Sequence, residues 1–140
     1  MKSNHLASAS AFVVFLALLF ACNFSTAHLS SLKVGKDRAV SQETNSFAPN
    51  DPFYAVATVS NAPGKTQVKG QLVVEDVAGE KPGPVPNLTK TLDLDGSGSA
   101  TFSFTPPPSG WPVGKYKIEV IMLNDKGEQK DQKSASFSVS

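Results

Sequence analysis

The chain has 140 residues, with 13 Lys plus Arg against 12 Asp plus Glu. Removing an N-terminal leader takes Lys2 with it and leaves 12 against 12, so the mature protein is neutral. That balance excludes the broad positive footprint of a nucleic-acid binder, and no basic stripe suits an anionic lipid surface. Ten Pro and ten Gly, with apolar residues in short runs, point to one domain of short strands and many turns.

Lys2 and His5 form a short polar start, and Ala11 to Phe20 is a continuous apolar run. Ten residues are too few for a permanent membrane span but suit the apolar region of a secretory signal. Residues 1–21 are therefore expected to be a signal peptide. Cys22 is the only cysteine, so no internal disulfide can form and the odd thiol needs a role. Leu19-Phe20-Ala21-Cys22 resembles a bacterial lipobox. The resemblance implies lipid attachment at Cys22 and a membrane-anchored protein facing the periplasm. Ser25-Thr26-Ala27 offers a second cleavage site, after which the chain would start at His28 and be secreted. An N-terminal histidine can chelate copper, but the mature chain has no second histidine, so no metal site is expected.

Residues 22–39 read as anchor and tether, and residues 40–140 as the folded domain. The stretch from Asn23 to Leu32 is small and polar, as a tether is. An edge strand is expected within Lys33 to Glu43. Phe53 to Ser60 and Thr66 to Val77 predict strands, with Pro63-Gly64 between them suited to a type II turn. Gly70 interrupts the second and predicts a bulge or a close backbone approach. Ala78 to Asn87 carries Gly79, Pro82, Gly83, Pro84 and Pro86 and is expected to be irregular. Leu88 to Leu94 and Ser99 to Thr105 predict short strands, the latter with Phe102 and Phe104 inward. The three prolines from Pro106 predict an extended crossover.

Gly110 to Leu123 is the organising stretch. Tyr116, Ile118, Val120 and Met122 alternate with Lys115, Lys117 and Glu119, which is the pattern of a half-buried strand. Ile121 and Leu123 suggest that its far end is covered on both faces. Trp111 is expected to plug one end of the core. Asn124 to Gly127 predicts a hairpin turn, and Ala135, Phe137 and Val139 a last strand. Phe53, Leu72, Val74, Phe102, Phe104, Tyr116, Ile118, Val120 and Phe137 are the expected core, at roughly 1.5–3 kcal/mol each when fully buried.

Seven strands with regular turn signals predict an all-β sandwich. Ser46-Phe47-Ala48-Pro49 with Asp51, then Phe53-Tyr54-Ala55, Gly110-Trp111-Pro112-Val113-Gly114-Lys115-Tyr116 and Ser136-Phe137-Ser138-Val139, resemble the immunoglobulin-like sandwich modules of bacterial envelope proteins. The resemblance implies binding or structural work and carries no activity of its own.

No catalytic constellation is expected. No serine has a histidine other than His28 to activate it. The acidic turn at Asp93, Asp95, Gly96 and Ser97 lacks the distal glutamate of a calcium loop and reads as a β-turn. Asp125, Glu128 and Asp131 with Lys126, Lys130 and Lys133 read as a solvated charged edge. Asn23-Phe24-Ser25 and Asn87-Leu88-Thr89 match glycosylation sequons, which matter only in a eukaryotic secretory pathway. The expected protein is a non-enzymatic cell-envelope lipoprotein without a cofactor, held to a membrane by its anchor and serving by contact with an unknown envelope protein or as a structural accessory module. The alternative is a secreted small-ligand or carbohydrate binder using Trp111 and Tyr54.

Overall fold

The structure is a computed structural model and describes residues 26–140. The signal segment and Cys22 lie outside the described residues. Eight strands form two sheets: β1 His28–Gly35, β2 Ser46–Phe47, β3 Phe53–Ser60, β4 Thr66–Val77, β5 Gly83–Leu94, β6 Gly98–Phe104, β7 Gly114–Leu123 and β8 Gln129–Val139. One sheet has the order β1-β3-β6 and the other β2-β8-β7-β4-β5. No helix occurs among the described residues. The protein is an all-β, immunoglobulin-like sandwich.

The alternation in the sequence sets which faces meet. In β3 every second residue from Phe53 to Val59 is buried, and in β7 the buried set is Tyr116, Ile118, Val120 and Met122. A period of two puts each set on one face, and the two faces close over each other. β7 lies in the middle of its sheet between β4 and β8. Among the described residues its outer face meets no third layer: Ile121 and Leu123 are only half-buried there, contrary to the two-sided cover expected. All nine expected core residues are buried.

Edge strands depart most from expectation. The strand expected within Lys33 to Glu43 starts earlier: β1 begins at His28, inside the stretch read as tether, and pairs with β3 from His28↔Ser60 to Gly35↔Tyr54. Its polar residues are tolerated because an edge strand needs only one paired side. After Gly35 the chain crosses to the other sheet, where β2 pairs in parallel with β8. Val40, in the connecting loop, is buried in the left-handed region at φ 45. Its N–H donates to the Asp37 carbonyl at 2.9 Å.

β5 takes in Gly83, Pro84 and Pro86, which were expected to be irregular. It too is an edge, so a proline can leave its missing N–H on the unpaired side. The pairing is broken rather than continuous. Gln71 faces Thr89 and Val73 faces Pro84, so residues 85–88 bulge out, with Asn87 at φ 65. The last strand also starts earlier than expected, at Gln129, in antiparallel pairing with β7. Before β4 the left-handed residue is Asn61 at φ 57 rather than Gly64, so the type II turn expected at Pro63-Gly64 is not the one formed.

Gly70 answers to a side chain and not to a backbone. A Cβ built there would lie 2.7 Å from the Phe102 ring. The fully buried phenyl occupies the space a larger residue would need. On the open side of the sandwich, Lys90 of β5 lies over the Phe104 ring at 5.5 Å and donates to the Ser103 carbonyl of β6. Its stem thereby covers the seam between two edge strands.

Gly70→Ala is expected to lower unfolding free energy by about 1–3 kcal/mol through this overlap. Adding Phe102→Leu should cost less than the sum of the two single changes, as denaturant titration of the four proteins would read. Strict additivity would show that the phenyl is not what excludes a side chain at residue 70.

Candidate functional site

The crossover between β6 and β7 is tied to the loop before β3. The Gly110 N–H donates to the Pro107 carbonyl at 2.8 Å, so the proline run ends in a turn and is not extended throughout. The Trp111 N–H donates to the Pro49 carbonyl at 2.8 Å, and its indole N–H to the Asp51 carbonyl at 2.9 Å. Gly110, at φ 80, packs against Pro49, where a Cβ would sit 3.0 Å from the proline Cβ. A left-handed backbone pressed on a neighbour admits glycine and little else.

Trp111 is 6% exposed and stacks on Phe53 with ring centroids 4.5 Å apart. It is the core plug the sequence predicts. Tyr116 is buried and donates its hydroxyl to the Pro112 carbonyl at 2.6 Å. Tyr54, the other aromatic suggested for ligand stacking, is half-buried on the opposite face of its sheet from Phe53. Trp111 and Tyr54 therefore do not converge on one site.

Beside Trp111 the structure opens a cleft of about 390 Å³. The bulged start of β5 supplies one wall through Val85, Pro86 and Leu88, and the crossover supplies the other through Pro107, Trp111 and Pro112. Val74 and Tyr116 contribute from β4 and β7, and Glu80 is the one charged residue that lines the cleft. The turn that carries Glu80 is closed by its N–H donating to the Val77 carbonyl at 3.1 Å. Glu80 is exposed and makes no ion pair among the described residues. Burial, and secondarily the Glu80 charge, raise the Tyr116 phenol above its ordinary value. Sequence reading missed this cleft apart from Trp111; it placed Tyr116 in the core and offered Tyr54, which does not line the cleft. Val85 and Leu88, apolar among prolines and polar neighbours, were the available signal.

The remaining expected residues are dispersed. His28 opens β1, with its Nδ1 2.9 Å from the Thr26 carbonyl oxygen. Among the described residues no three His, Cys, Asp or Glu side chains are placed to hold a metal ion. Asp93 accepts from Gln67 at 3.1 Å, and Ser97 accepts the Ala62 N–H at 3.0 Å, so these two residues of the acidic turn are occupied in bonds that hold the fold. Asp131, expected in the charged edge, instead reaches across to β1 and accepts the Leu29 N–H at 2.8 Å.

No family model matches the chain, and no curated protein matches it. Solved structures do. A β-glucuronidase of Bacteroides uniformis aligns at 16% identity and a TM-score of 0.52, over 80% of this chain and 14% of that one. A β-glucosidase from Listeria innocua aligns at 14% identity and a TM-score of 0.51, over 78% of this chain and 16% of that one. A Niemann-Pick type C2 protein from the Japanese carpenter ant aligns at 14% identity and a TM-score of 0.49, over 85% and 96%. At such identities the likeness concerns the fold alone, and the chain matches only a small part of either glycosidase.

Asp51 ties the Trp111 loop to the rest of the domain. Its carboxylate accepts the Ala48 N–H at 2.7 Å and lies 3.0 Å from the Lys36 ammonium. The Ala48 bond first, and Lys36 second, hold it below the usual carboxylate range. A depressed folded-state pKa stabilises the fold above the unfolded value of about 3.9, and that contribution disappears as pH falls through the folded value. Asp51→Asn should therefore be less stable than the parent at neutral pH. The gap should narrow in thermal melts taken at successively lower pH below about 4. A gap independent of pH would show that the charge contributes nothing.

Proposed function

We propose that the protein is an exported, membrane-anchored accessory module that works by contact with an envelope protein rather than by catalysis. The supporting observation is the polarity of the sandwich. β1 enters opposite Ser60, at one end of β3, while Phe53, at the other end, carries Trp111 and the cleft. An eight-residue strand separates the two ends by roughly 23 Å. Val113, 61% exposed and next to Pro112, lies at the far end. An anchor at Cys22 is at most ~22 Å of extended chain from His28. The entry end of the domain would then sit near the membrane, and the apolar end would face away from it.

A second reading has its own support. The cleft is mainly apolar, has one charged residue on its lining and falls in the size range of small-ligand sites. On that reading the domain binds a small molecule, anchored or secreted.

Intact-mass analysis of the protein isolated from its native host tests the anchor. A diacylglyceryl-modified chain beginning at Cys22 is the expected result, and Cys22→Ser should release the protein from the membrane fraction. An unmodified chain beginning at His28 would contradict the anchored reading. Site-directed crosslinking from residue 113 tests the contact: a defined adduct with an envelope protein is expected, and its absence would count against the accessory role.

A further inference from the structure

We infer that the cleft beside Trp111 is a binding site for a small organic cation with an apolar or aromatic body. This rests on the small-ligand reading above and adds the chemical class. Three features of the cleft carry it. Its lining is dominated by aliphatic, proline and aromatic side chains, so it favours an apolar body. Glu80 is the lone charged residue on that lining. Its carboxylate has no ion-pair partner among the described residues; Lys81, next in the chain, is exposed and does not pair with it. The charge is therefore free to meet a ligand.

Trp111 and Tyr116 border the same space. Trp111 stacks on Phe53 and Tyr116 on Phe137, and the two are 6% and 2% exposed, so each gives the cleft only the margin of its ring; the attraction for an ammonium group comes chiefly from the Glu80 carboxylate on the lining. Both rings are held in place: Trp111 by Phe53 and the Asp51 carbonyl, Tyr116 by the Pro112 carbonyl. A site whose side chains are already ordered loses less freedom on binding. Of the two rings, Tyr116 is the one that feels the Glu80 charge, which adds to the larger effect of burial in raising its phenol. An anionic ligand would meet repulsion from the same carboxylate. The volume, about 390 Å³, suits a small molecule and not a folded partner.

Trp111 is the only tryptophan, so its emission reports on the cleft without ambiguity. Three probes of similar shape and different charge should be titrated: benzyltrimethylammonium, benzyl alcohol and benzylsulfonate. The ammonium probe is expected to give a saturable change and to bind at least about fivefold more tightly than the alcohol. The sulfonate should bind most weakly. Glu80→Gln, a change at an exposed side chain, should abolish the preference for the cation while leaving the unfolding midpoint in place. Equal binding of all three probes, or preference for the sulfonate, would overturn the cation assignment and leave a small-ligand cleft standing. No saturable change with any probe would overturn both.

Discussion

Phe53 is the residue on which the two sheets agree. It stands at the start of β3 and is fully buried. Its ring stacks on Trp111 at 4.5 Å and meets Phe137 of β8 and Phe47 of β2 edge-on at 4.6 and 4.9 Å. Tyr116 of β7 lies 6.2 Å away. Five aromatic rings from both sheets and the crossover thus share one cluster. Such pairs contribute on the order of 0.5–1.5 kcal/mol each beyond the area they bury. The cluster fills the end of the sandwich where the two-residue β2 joins β8.

The cleft follows from the same arrangement. Packing Trp111 on Phe53 draws the crossover over the end of the core, and the Pro49 and Asp51 carbonyls hold it there. An unbroken pairing of β5 with β4 would not present Val85, Pro86 and Leu88 as they stand on the cleft. Instead β5 bulges at residues 85–88, and the space between bulge and crossover stays open. The well-packed cluster and the unfilled cleft are therefore neighbours for a structural reason. Rigid walls beside an open apolar volume are what a ligand site needs. The proposed anchoring puts this end outermost, so the two proposals are compatible in space.

The parts of the fold legible in the sequence are those with a two-residue period. Phe53 to Ser60, Thr66 to Val77 and the run from Lys115 to Leu123 carry alternating apolar side chains because each lays one face on the core. The edges were harder to read. β1 has serines and a lysine, β5 has two prolines, and the early half of β8 is almost wholly polar. Edge strands draw support from one neighbour and face water, so the apolar signal that marks a central strand is diluted. β2 is two residues long and too short for any period. Of the candidate site, Trp111 stood out by its chemistry. Its partnership with Val85, Pro86 and Leu88 depends on a register break between β4 and β5, which leaves no local pattern. The reason for Gly70 was likewise hidden, because it is the ring of Phe102, far along the chain.

The central claim is that Phe53 holds Trp111 inside the aromatic cluster and so shapes the end of the domain. Acrylamide quenching of Trp111 emission, compared between the native protein and Phe53→Leu, tests it most directly. The native protein is expected to show blue-shifted, weakly quenched emission, because the indole is 6% exposed. Phe53→Leu should remain folded at low denaturant, with emission shifted to the red and quenching clearly increased. Strong quenching in the native protein, or identical quenching in the two, would contradict the account.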